Sequence, residues 1–544
     1  MQKLKRQWLL LALLLVWLSV PAAAQIRIVP PGTPHSAADI DGVLRKAQQL
    51  ESQERWGEAL SIYEEALREN PHDAALGNRH DLAKIHYDLG RRYRNSSFLS
   101  ALTTVSQRQA ISLYSEVLVK IETHYVTAPN WGVIVARGTQ DLQIALYDKQ
   151  FQGRHLAGRS RQELDALAAG IARMADGRRV STRQQAVDAV AAAARFAENQ
   201  LGLSQTAVAL EYTCAAIGAL DSYSTYLTDD QLNDVYSQIE GNFVGLGIEL
   251  KAAAGALKIV KVITGSPAER AGIRSGDRIT EVDGRATANL STDAAADLLR
   301  GPEGSLVKLV VVNSKNRARR LSVRREHIEV PSVDDVKIID RDFGIGYLKL
   351  TCFQKTTSRD LDAALWKLHR EGMRSLIIDL RGNPGGLLTS SVEVADKFVD
   401  EGLIVSTRGR SPLEDFNYSA HKAGTWRVPL VVLIDGDSAS ASEILASAIR
   451  DHRRGNLVGQ RSYGKGSVQG IFPLTVAGAG VRLTTAKFYS PSGQPISHVG
   501  VQPDIVVRQT AKISSDDADA STGLLGDSVL EAGVQAARNK TAQR

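Results

Sequence analysis

Three serines follow an apolar segment and come just before a predicted helix, where a hydroxyl can act on a bound substrate. They are Ser438, Ser440 and Ser442, and the helical pattern begins near Glu443. Free N–H groups at a helix N-terminus favour the negative charge that develops on an oxygen under attack. Spacing alone does not choose among the three hydroxyls, and a serine-rich helix cap is the alternative interpretation.

A lysine between two glycines, Gly464-Lys465-Gly466, lies in an apolar stretch further along the chain. Lysine is usually solvated, so an exposed loop residue is the alternative. As a general base the lysine must be neutral, and from an ordinary pKa of about 10.4 the neutral form costs about 4.6 kcal/mol at pH 7. A Ser–Lys dyad therefore requires that Lys465 is buried, because burial destabilises the ammonium.

A phosphate-binding loop and a histidine base are the competing chemistries. Gly459 and Gly464-Lys465 nearly match the phosphate-binding motif, but Gly466 occupies the position where that motif needs Ser or Thr to hold magnesium. The histidines in the same half of the chain are His327, His452 and His498. None has a motif around it, so a structural or solvated role is favoured for each over a Ser-His-Asp hydrolase.

A glycine-containing turn, Gly245-Leu246-Gly247-Ile248, opens a segment of short alternating strands. The two glycines let backbone N–H groups converge, and such a concavity holds a carboxylate. Five or six strands with two helices in about 90 residues indicate a small β-barrel-like module. The alternative is a glycine-rich hairpin without a ligand.

The elements around these motifs divide the chain into helical and α/β parts. Residues 36–235 are mostly helical in pattern, and Ala59, Tyr63 and Ala66 have the spacing of a tetratricopeptide repeat. An ordinary helical hairpin is an equally good interpretation. From residue 345 onward, apolar strands at 345–350, 376–380, 430–434 and 457–458 alternate with helices near 357–371, 389–400 and 440–451, which predicts a buried sheet.

The first segment indicates export from the cytoplasm. Lys3, Lys5 and Arg6 precede an apolar run over residues 8–20, and a small-residue cleavage site ends at Ala24. The run is shorter than the ~20 residues of a membrane-spanning helix, although an uncleaved anchor is the alternative. We therefore expect a periplasmic or otherwise extracytoplasmic protein, membrane-associated only if the signal is retained.

Composition excludes several classes of protein. The 544 residues carry 66 basic and 60 acidic side chains, and this weak excess of +6 does not by itself argue for nucleic-acid binding. The chain has 2 cysteines, Cys214 and Cys352, which is too few for a disulfide-rich scaffold or a four-cysteine zinc site but enough for one bridge.

Several long motifs together resemble two known families. Gly245–Ile248, with the Ser266-Pro267-Ala268 and Gly276-Asp277-Arg278-Ile279 stretches, resembles a PDZ domain over residues 237–328. The serine and lysine segments resemble the carboxy-terminal processing peptidases, PDZ-containing serine proteases of the tail-specific type, over roughly 108–508. The matching stretches are 221–227, 344–348, 379–386, 438–445, 463–469 and 500–504.

The resemblance implies an α+β multidomain protein and assigns a role to particular residues. Ser440 is the implied nucleophile, Lys465 the general base and Gln469 the residue that orients it. Ala441 and the Gly385–Gly386 turn are the implied oxyanion hole. Asp221-Ser222-Tyr223 departs from the Asp-Pro-His of many members.

The expected domains are a signal peptide (1–24), a helical, tetratricopeptide-like region (25–107), a helical part of the protease (108–236), a PDZ domain (237–330), an α/β protease core (331–510) and a flexible tail (511–544).

The function that the resemblance implies is cleavage of proteins whose free, apolar C-termini bind at Gly245, Leu246, Gly247 and Ile248. No metal or cofactor is implied, and the helical region offers a surface for a protein partner. The alternative function is a non-catalytic scaffold that only holds peptides through the PDZ domain and the helical repeats.

Overall fold

The computed structural model describes residues 37–177, 179–253, 256–287, 298–299, 301–507 and 527–542. The predicted signal peptide, residues 1–24, lies outside this part of the chain. Among the described residues, no helix combines the length and the apolar character that crossing a bilayer would require.

The first part of the fold consists of helices. These helices are α1 (Ala37–Ser52), α2 (Trp56–Glu69), α3 (Ala74–Arg92), α4 (Ser96–Thr104), α5 (Gln107–His124), α6 (Trp131–Ala145), α7 (Lys149–His155), α8 (Arg161–Asp176), α9 (Arg183–Leu201) and α10 (Gln205–Gly218).

Helices α1 to α3 bury the small residues that the repeat pattern singled out. Ala59 and Tyr63 are fully buried and Ala66 is nearly so, in a small core shared by the three helices. The end of α3 joins a second, larger core, because Leu89 packs with α5 to α10. There the guanidinium of Arg92 meets the fully buried carboxylate of Glu211 on α10 at 2.6 Å. The first three helices are therefore braced against the helices that follow.

The small β module is an antiparallel sheet in the order β3-β4-β5-β7-β8, in which β6 pairs with β5. Strands β2 and β9 form a separate pair. Strand β3 lies at one edge of this sheet, so among the described residues no strand covers its outer side. The elements are β2 (Asn242–Gly245), β3 (Ile248–Ala253), β4 (Ala256–Val262), α12 (Pro267–Arg270), β5 (Arg278–Val282), β6 (Arg285–Ala286), β7 (Leu306–Val312), β8 (Ala318–Arg324) and β9 (Glu326–Glu329), with β1 (Thr225–Leu227) and α11 (Asp229–Glu240) preceding them.

The α/β core contains the predicted buried sheet, in the order β10-β11-β12-β15-β16-β19. Strands β11, β12, β15, β16 and β19 pair in parallel, and β10 is antiparallel to β11. The elements are β10 (Val333–Asp340), β11 (Ile345–Leu350), α13 (Thr357–Arg370), β12 (Ser375–Asp379), α14 (Leu388–Asp396), β13 (Leu403–Gly409), β14 (Phe416–Ser419), β15 (Leu430–Ile434), α15 (Ala441–Asp451), β16 (Asn456–Gly459), β17 (Ser467–Pro473), β18 (Gly480–Tyr489), β19 (Ile505–Val506) and α16 (Ser528–Ala542).

The predicted flexible tail is wrong for residues 527–542. This segment contains helix α16, which covers one face of the core sheet while α13, α14 and α15 cover the other. Val529 and Ala537 pack on sheet residues such as Val431, and Gly533 lets the helix approach closely, since an added Cβ would lie 2.7 Å from Leu433. An open apolar sheet face needs such a cover.

A third sheet joins the helical part to the α/β core. Its order is β1-β18-β13-β14, with β17 on β18, and all its pairings are antiparallel. Val481 and Leu483 of β18 are buried in the same apolar core as helices α5 to α10. The loop that carries Lys465 leads directly into β17 of this sheet. The sheet therefore holds that loop against the helical part of the chain.

Both cysteines are free thiols. Cys214 lies on α10 and Cys352 follows β11, and burial raises the pKa of each thiol to about 12. The bridge that composition left open is not formed.

Candidate active site

The parallel strands β12 and β15 end at the same edge of the core sheet, and the loops that follow them meet there. Gly385, in the loop after β12, has a φ of 99°. A Cβ at this glycine would lie 2.6 Å from the carbonyl oxygen of Ala439 and 2.8 Å from the Cβ of Ser440. The backbone of the first loop thus passes directly beside Ser440, which only a glycine allows.

The three serines have different surroundings. The hydroxyls of Ser438 and Ser442 are fully buried and donate to the backbone carbonyls of Leu380 and Asn383, each at 2.9 Å. Ser440 is only partly buried, and the described residues supply no acceptor for its hydroxyl. Of the three candidate nucleophiles, Ser440 is therefore favoured, because the hydroxyls of Ser438 and Ser442 are used to hold the loops together.

Ser440 immediately precedes α15, and its backbone has a φ of 56°, a left-handed conformation that is uncommon for a residue with a side chain. The N–H groups of Ala441 and Gly386 have no hydrogen-bond partner within the described part of the chain. The N–H of Gly385, by contrast, donates to the side-chain oxygen of Asn383 at 2.8 Å. Of the three predicted oxyanion-hole donors, Gly385 already has an acceptor, whereas Ala441 and Gly386 have none among the described residues.

Glu443, in the first turn of α15, joins the serine segment to the lysine segment. Its fully buried carboxylate accepts four hydrogen bonds, from the N–H of Ser440 (2.8 Å), the hydroxyl of Ser462 (2.5 Å), and the N–H groups of Gly464 (2.7 Å) and Lys465 (2.9 Å). Burial raises the pKa of this carboxyl, and the four donors oppose that effect. We did not predict this role, although the Ser-x-x-Glu spacing of a capping box was its signal.

The side chain of Lys465 is partly buried. Its Nζ lies 5.0 Å from the centre of the Tyr223 ring. Burial, reinforced by the nearby cation of Arg482, lowers the pKa of Lys465 from 10.5 to about 8, while the carboxylates of Glu443 and Asp221 act in the opposite direction. A lowered pKa of this kind is what a lysine needs in order to act as a general base near neutral pH.

The predicted contact of Gln469 with Lys465 is not made in this structure. The Gln469 side-chain amide donates to the hydroxyl and the carbonyl of Ser467, at 2.9 and 3.2 Å. The pairing of β17 with β18 shifts register between Val468 and Gln469, and the side chain folds back along its own strand. The hydroxyl of Ser440 and the ammonium of Lys465 are likewise not hydrogen-bonded to each other among the described contacts.

The histidines considered as alternative bases do not meet the serines. The His452 ring contacts the carbonyl of Leu403 at 2.7 Å, which is a structural role at the end of α15. His327 lies on β9, far along the chain from the serine loop and paired with Val244. The backbone of His498 packs beside Gly464, but no described contact joins its ring to Ser440.

A buried ion-pair network holds the loop after β12. The fully buried carboxylate of Asp379 accepts from the hydroxyl of Tyr347 at 2.9 Å and pairs with Arg381 at 2.7 Å. Arg381 also reaches Asp527, just before α16, at 2.7 Å. The helix that covers the sheet thereby ties down the loop that leads to Gly385 and Gly386.

The first helices also reach the edge of this site. The guanidinium of Arg68, at the end of α2, lies 4.4 Å from the centre of the Tyr463 ring, two residues before Lys465. Its charge is also felt by Asp437 and Tyr223, whose pKa values are raised by burial and held back by this cation. One rim of the site is thus formed by the helical region whose role the sequence left open.

In the small β module, the turn predicted to hold a carboxylate is well defined. Gly247 has a φ of 80°, and an added Cβ would lie 2.2 Å from the Cβ of Ser266. The carbonyls of Leu246 and Gly247 accept from Ala268 and Ile263, each at 2.9 Å. The turn is thereby fixed beside Ile248, the first residue of the open edge strand β3.

Comparisons with known proteins identify both parts. Residues 344–507 match the model of peptidase family S41, and residues 258–313 match that of a PDZ domain. The carboxy-terminal-processing protease of Bartonella bacilliformis is 40% identical over 298 residues, which cover 54% of this chain and 67% of that protein. The chain belongs to the carboxy-terminal processing proteases of family S41.

Two further carboxyl-terminal-processing proteases are similar over comparable lengths. That of Picosynechococcus sp. is 35% identical over 53% of this chain and 70% of its own, and that of Synechocystis sp. is 34% identical over 56% and 71%. A carboxy-terminal processing protease of this family is a serine-type enzyme with a PDZ domain, which favours catalysis over the non-catalytic scaffold.

Proposed function

We propose that this protease is an extracytoplasmic endopeptidase in which Ser440 is the nucleophile and Lys465 the general base. The observation that carries the proposal is the shared carboxylate of Glu443, which binds the backbone N–H groups of both residues. It binds the backbones of two partly buried residues at one carboxylate, which supports the close placement that nucleophilic catalysis by a Ser–Lys dyad requires.

The reaction proceeds through an acyl-enzyme. The Oγ of Ser440 attacks the scissile carbonyl while its proton passes to the neutral Nζ of Lys465, and that proton then goes to the leaving amine. A water molecule then gives a proton to Lys465 and attacks the ester. Lys465 passes this proton to the departing Oγ of Ser440, which releases the new C-terminus and restores the neutral amine. Because Nζ rests over the Tyr223 ring, the lysine side chain must rotate toward the hydroxyl before the first step.

Burial reduces the free-energy cost of the neutral Lys465 amine at moderate pH. With the pKa of Lys465 at about 8, the neutral amine at pH 7 costs only about 1.4 kcal/mol instead of the ~4.6 kcal/mol of a solvated lysine. The oxyanion that forms on the substrate accepts hydrogen bonds from the N–H groups of Ala441 and Gly386, which have no partner among the described residues. The Gly385–Gly386 turn lets the backbone pass close to Ser440.

The decisive experiment compares single variants on an unstructured protein with an apolar C-terminus. Ser440→Ala and Lys465→Ala are expected to abolish cleavage, while Ser442→Ala, whose hydroxyl only binds the Asn383 carbonyl, should retain it after correction for stability. A fluorophosphonate probe should label the wild type at Ser440. Wild-type cleavage by both dyad variants would refute the assignment, and an unlabelled wild type would favour the scaffold.

We further infer that substrates bind through a free, apolar C-terminus that pairs with the open edge of β3 and places its carboxylate in the 245–248 turn. Amidation of the C-terminus of a peptide substrate should raise KM severalfold with kcat unchanged. Gly247→Ala, which forces a Cβ against Ser266, should abolish the difference between the two peptides. Equal KM values for both peptides in the wild type would contradict this binding mode.

The extracytoplasmic location is proposed from the sequence of residues 1–24 alone. Expression of the full chain in a bacterial host should yield a processed protein in the periplasmic fraction, with Gln25 as its first residue. Recovery of the unprocessed protein in the cytoplasm would contradict the proposed location. Recovery from the membrane with Met1 retained would identify the segment as an anchor instead.

A further inference from the structure

Arg482 is a partly buried residue whose charge acts on the candidate base and which forms no ion pair with a described carboxylate. It lies on the central strand β18, where it pairs with Thr225 of β1 on one side and Ile471 of β17 on the other. Its Nε is buried and has no hydrogen-bond partner. No ion pair within 4.0 Å joins it to any described carboxylate, which is a costly arrangement for a permanent cation.

Two other partly buried arginines of this protein are paired with carboxylates. Arg92 meets the carboxylate of Glu211 at 2.6 Å, and Arg381 meets that of Asp379 at 2.7 Å. Each of these pairs raises the pKa of its guanidinium, whereas burial lowers the pKa of Arg482. Arg482 differs from both of these arginines, and its charge acts on the amine of Lys465. Arg325 also lacks a carboxylate, but its guanidinium donates to the carbonyls of Leu298, Leu299 and Leu306.

The charged and titratable groups around Lys465 come from three elements besides its own loop. Glu443 belongs to α15, Arg482 to β18, and Asp221 and Tyr223 to the segment before β1. Asp221 is already engaged, because it accepts the N–H groups of Tyr223 and Ser224 at 2.8 and 2.7 Å. The Tyr223 segment is itself joined to β18, since the N–H of Thr484 donates to the hydroxyl of Ser224 at 3.3 Å.

Two partly buried cations thus act on each other, while the nearby carboxylates of Asp221 and Glu443 mainly accept backbone N–H groups. A guanidinium does not deprotonate in proteins, whereas an ammonium can. When like charges are crowded in a low-dielectric pocket, the group that can become neutral does so. We propose that Arg482 is a positioning residue of the reaction, whose fixed cation keeps the amine of Lys465 neutral and ready to accept the Ser440 proton.

This inference rests on the proposed role of Lys465, and its test separates the two. The pKa of the Lys465 amine is measured directly, by mass spectrometry of its acetylation by acetic anhydride as a function of pH, in the Ser440→Ala background where no cleavage occurs. In parallel, the pH dependence of kcat/KM is measured in the active enzyme. Each measurement compares the wild type with Arg482→Met and with Arg482→Gln, so that one misfolded variant does not decide the outcome.

Removal of the cation should raise the pKa of Lys465 by about one unit in both variants, and should shift the rising limb of kcat/KM by the same amount. At pH 7 this is a loss of about tenfold in kcat/KM, recovered at high pH. The matched control is Lys487→Met, which removes one positive charge from an exposed position of the same strand and should shift neither curve.

An unchanged pKa of Lys465 in folded Arg482 variants would overturn the role of Arg482, whatever the mechanism of cleavage. A loss of activity that is equal at every pH would overturn it as well, because that is the signature of a structural residue. If instead the pKa of Lys465 shifts but the rate limb does not follow it, Arg482 acts as inferred on the amine and the proposed role of Lys465 as base is the part that fails.

Discussion

The backbone N–H of Lys465 donates to the carboxylate of Glu443 at 2.9 Å, and the N–H of Ser440 donates to the same oxygen at 2.8 Å. The two candidate catalytic residues are 25 positions apart in the sequence and are brought together by one side chain of helix α15. The helix that follows the serine therefore also fixes the loop of the lysine, so both loops depend on a single buried anion.

Glu443→Gln tests this dependence. The amide has only one acceptor oxygen, so two of the four donors now held by the carboxylate would face an NH2 group. We expect the free energy of unfolding to fall by about 3 kcal/mol, and kcat to fall about 100-fold as the serine and lysine lose their mutual placement. Chemical denaturation and steady-state kinetics measure the two effects, and Glu393→Gln, at an exposed position of α14, is the control. A fully active Glu443→Gln variant would contradict the bridging role.

The pH dependence of the reaction should report on Lys465. Its neutral form is the base, so kcat/KM is expected to rise about tenfold per pH unit below the pKa of about 8 and to level off above it. Ser442→Ala should follow the same curve because its hydroxyl is remote from the proton transfer. A limb centred near pH 6.5 would indicate a histidine base instead.

The depressed pKa of Lys465 also predicts a stability cost. Between pH 8 and the ordinary pKa of 10.5, the unfolded chain binds more protons than the folded one, so stability is lost as pH falls through this window. Below pH 8 the loss is complete, at about 3 kcal/mol. Lys465→Met should therefore be more stable than the wild type at pH 7 by roughly that amount, with the difference shrinking toward pH 10.5. Thermal unfolding at the two pH values measures it, and a destabilised variant at pH 7 would contradict the expectation.

Much of the core was predictable because its strands are continuous apolar runs. Strands β11, β12, β15 and β16 and the helices between them lie where the pattern placed them, since a parallel sheet buried on both faces requires such runs. Helix α16 was missed because an acidic, serine-rich stretch precedes it and its apolar positions are mostly alanine and valine. Its burial comes from the sheet face that it covers, which local sequence does not show.

The site was predictable in its residue types but not in its contacts. The motifs indicated Ser440 and Lys465, yet the charge balance around the lysine depends on Arg482, whose strand pairs with Thr225 more than 250 residues earlier. The Gln469 side chain binds Ser467 at a point where the register of β17 shifts, and no spacing rule reveals that shift. Long-range register and side-chain direction are properties of the folded sheet, so they appear only in the structure.

Gly385→Ala tests the close contact beside the serine. The new Cβ would meet the Ala439 carbonyl and the Ser440 Cβ at less than 3 Å, so the serine must shift, and we expect kcat/KM to fall about 100-fold. Gly372→Ala is the matched control, because Gly372 has a similar φ of 91° but open space around its Cα. That variant should lose about 1 kcal/mol of stability and keep its activity. Equal activity in the two variants would show that catalysis does not depend on the close contact between Gly385 and Ser440.

The contact of Arg68 with Tyr463 gives the first helices a testable share in catalysis. Helix α2 is held in place by its packing on α3, and α3 by the Arg92–Glu211 pair, so the Arg68 guanidinium contacts the loop of Lys465 from a packed helix. A cation–π contact at a partly exposed site contributes about 0.5–1 kcal/mol, so Arg68→Ala should lower kcat/KM about threefold.

The pH limb of the Arg68→Ala variant should not move, because Arg68 is not among the charges that act on Lys465. The control is Arg91→Ala, which removes a similar contact with Tyr87, 5.5 Å from the ring centre and within the helical region itself. Steady-state kinetics of the two variants decide the matter. If both keep the wild-type kcat/KM, the helical region packs beside the site without supporting it; if both lose it equally, the effect reflects the stability of the helices rather than the contact at Tyr463.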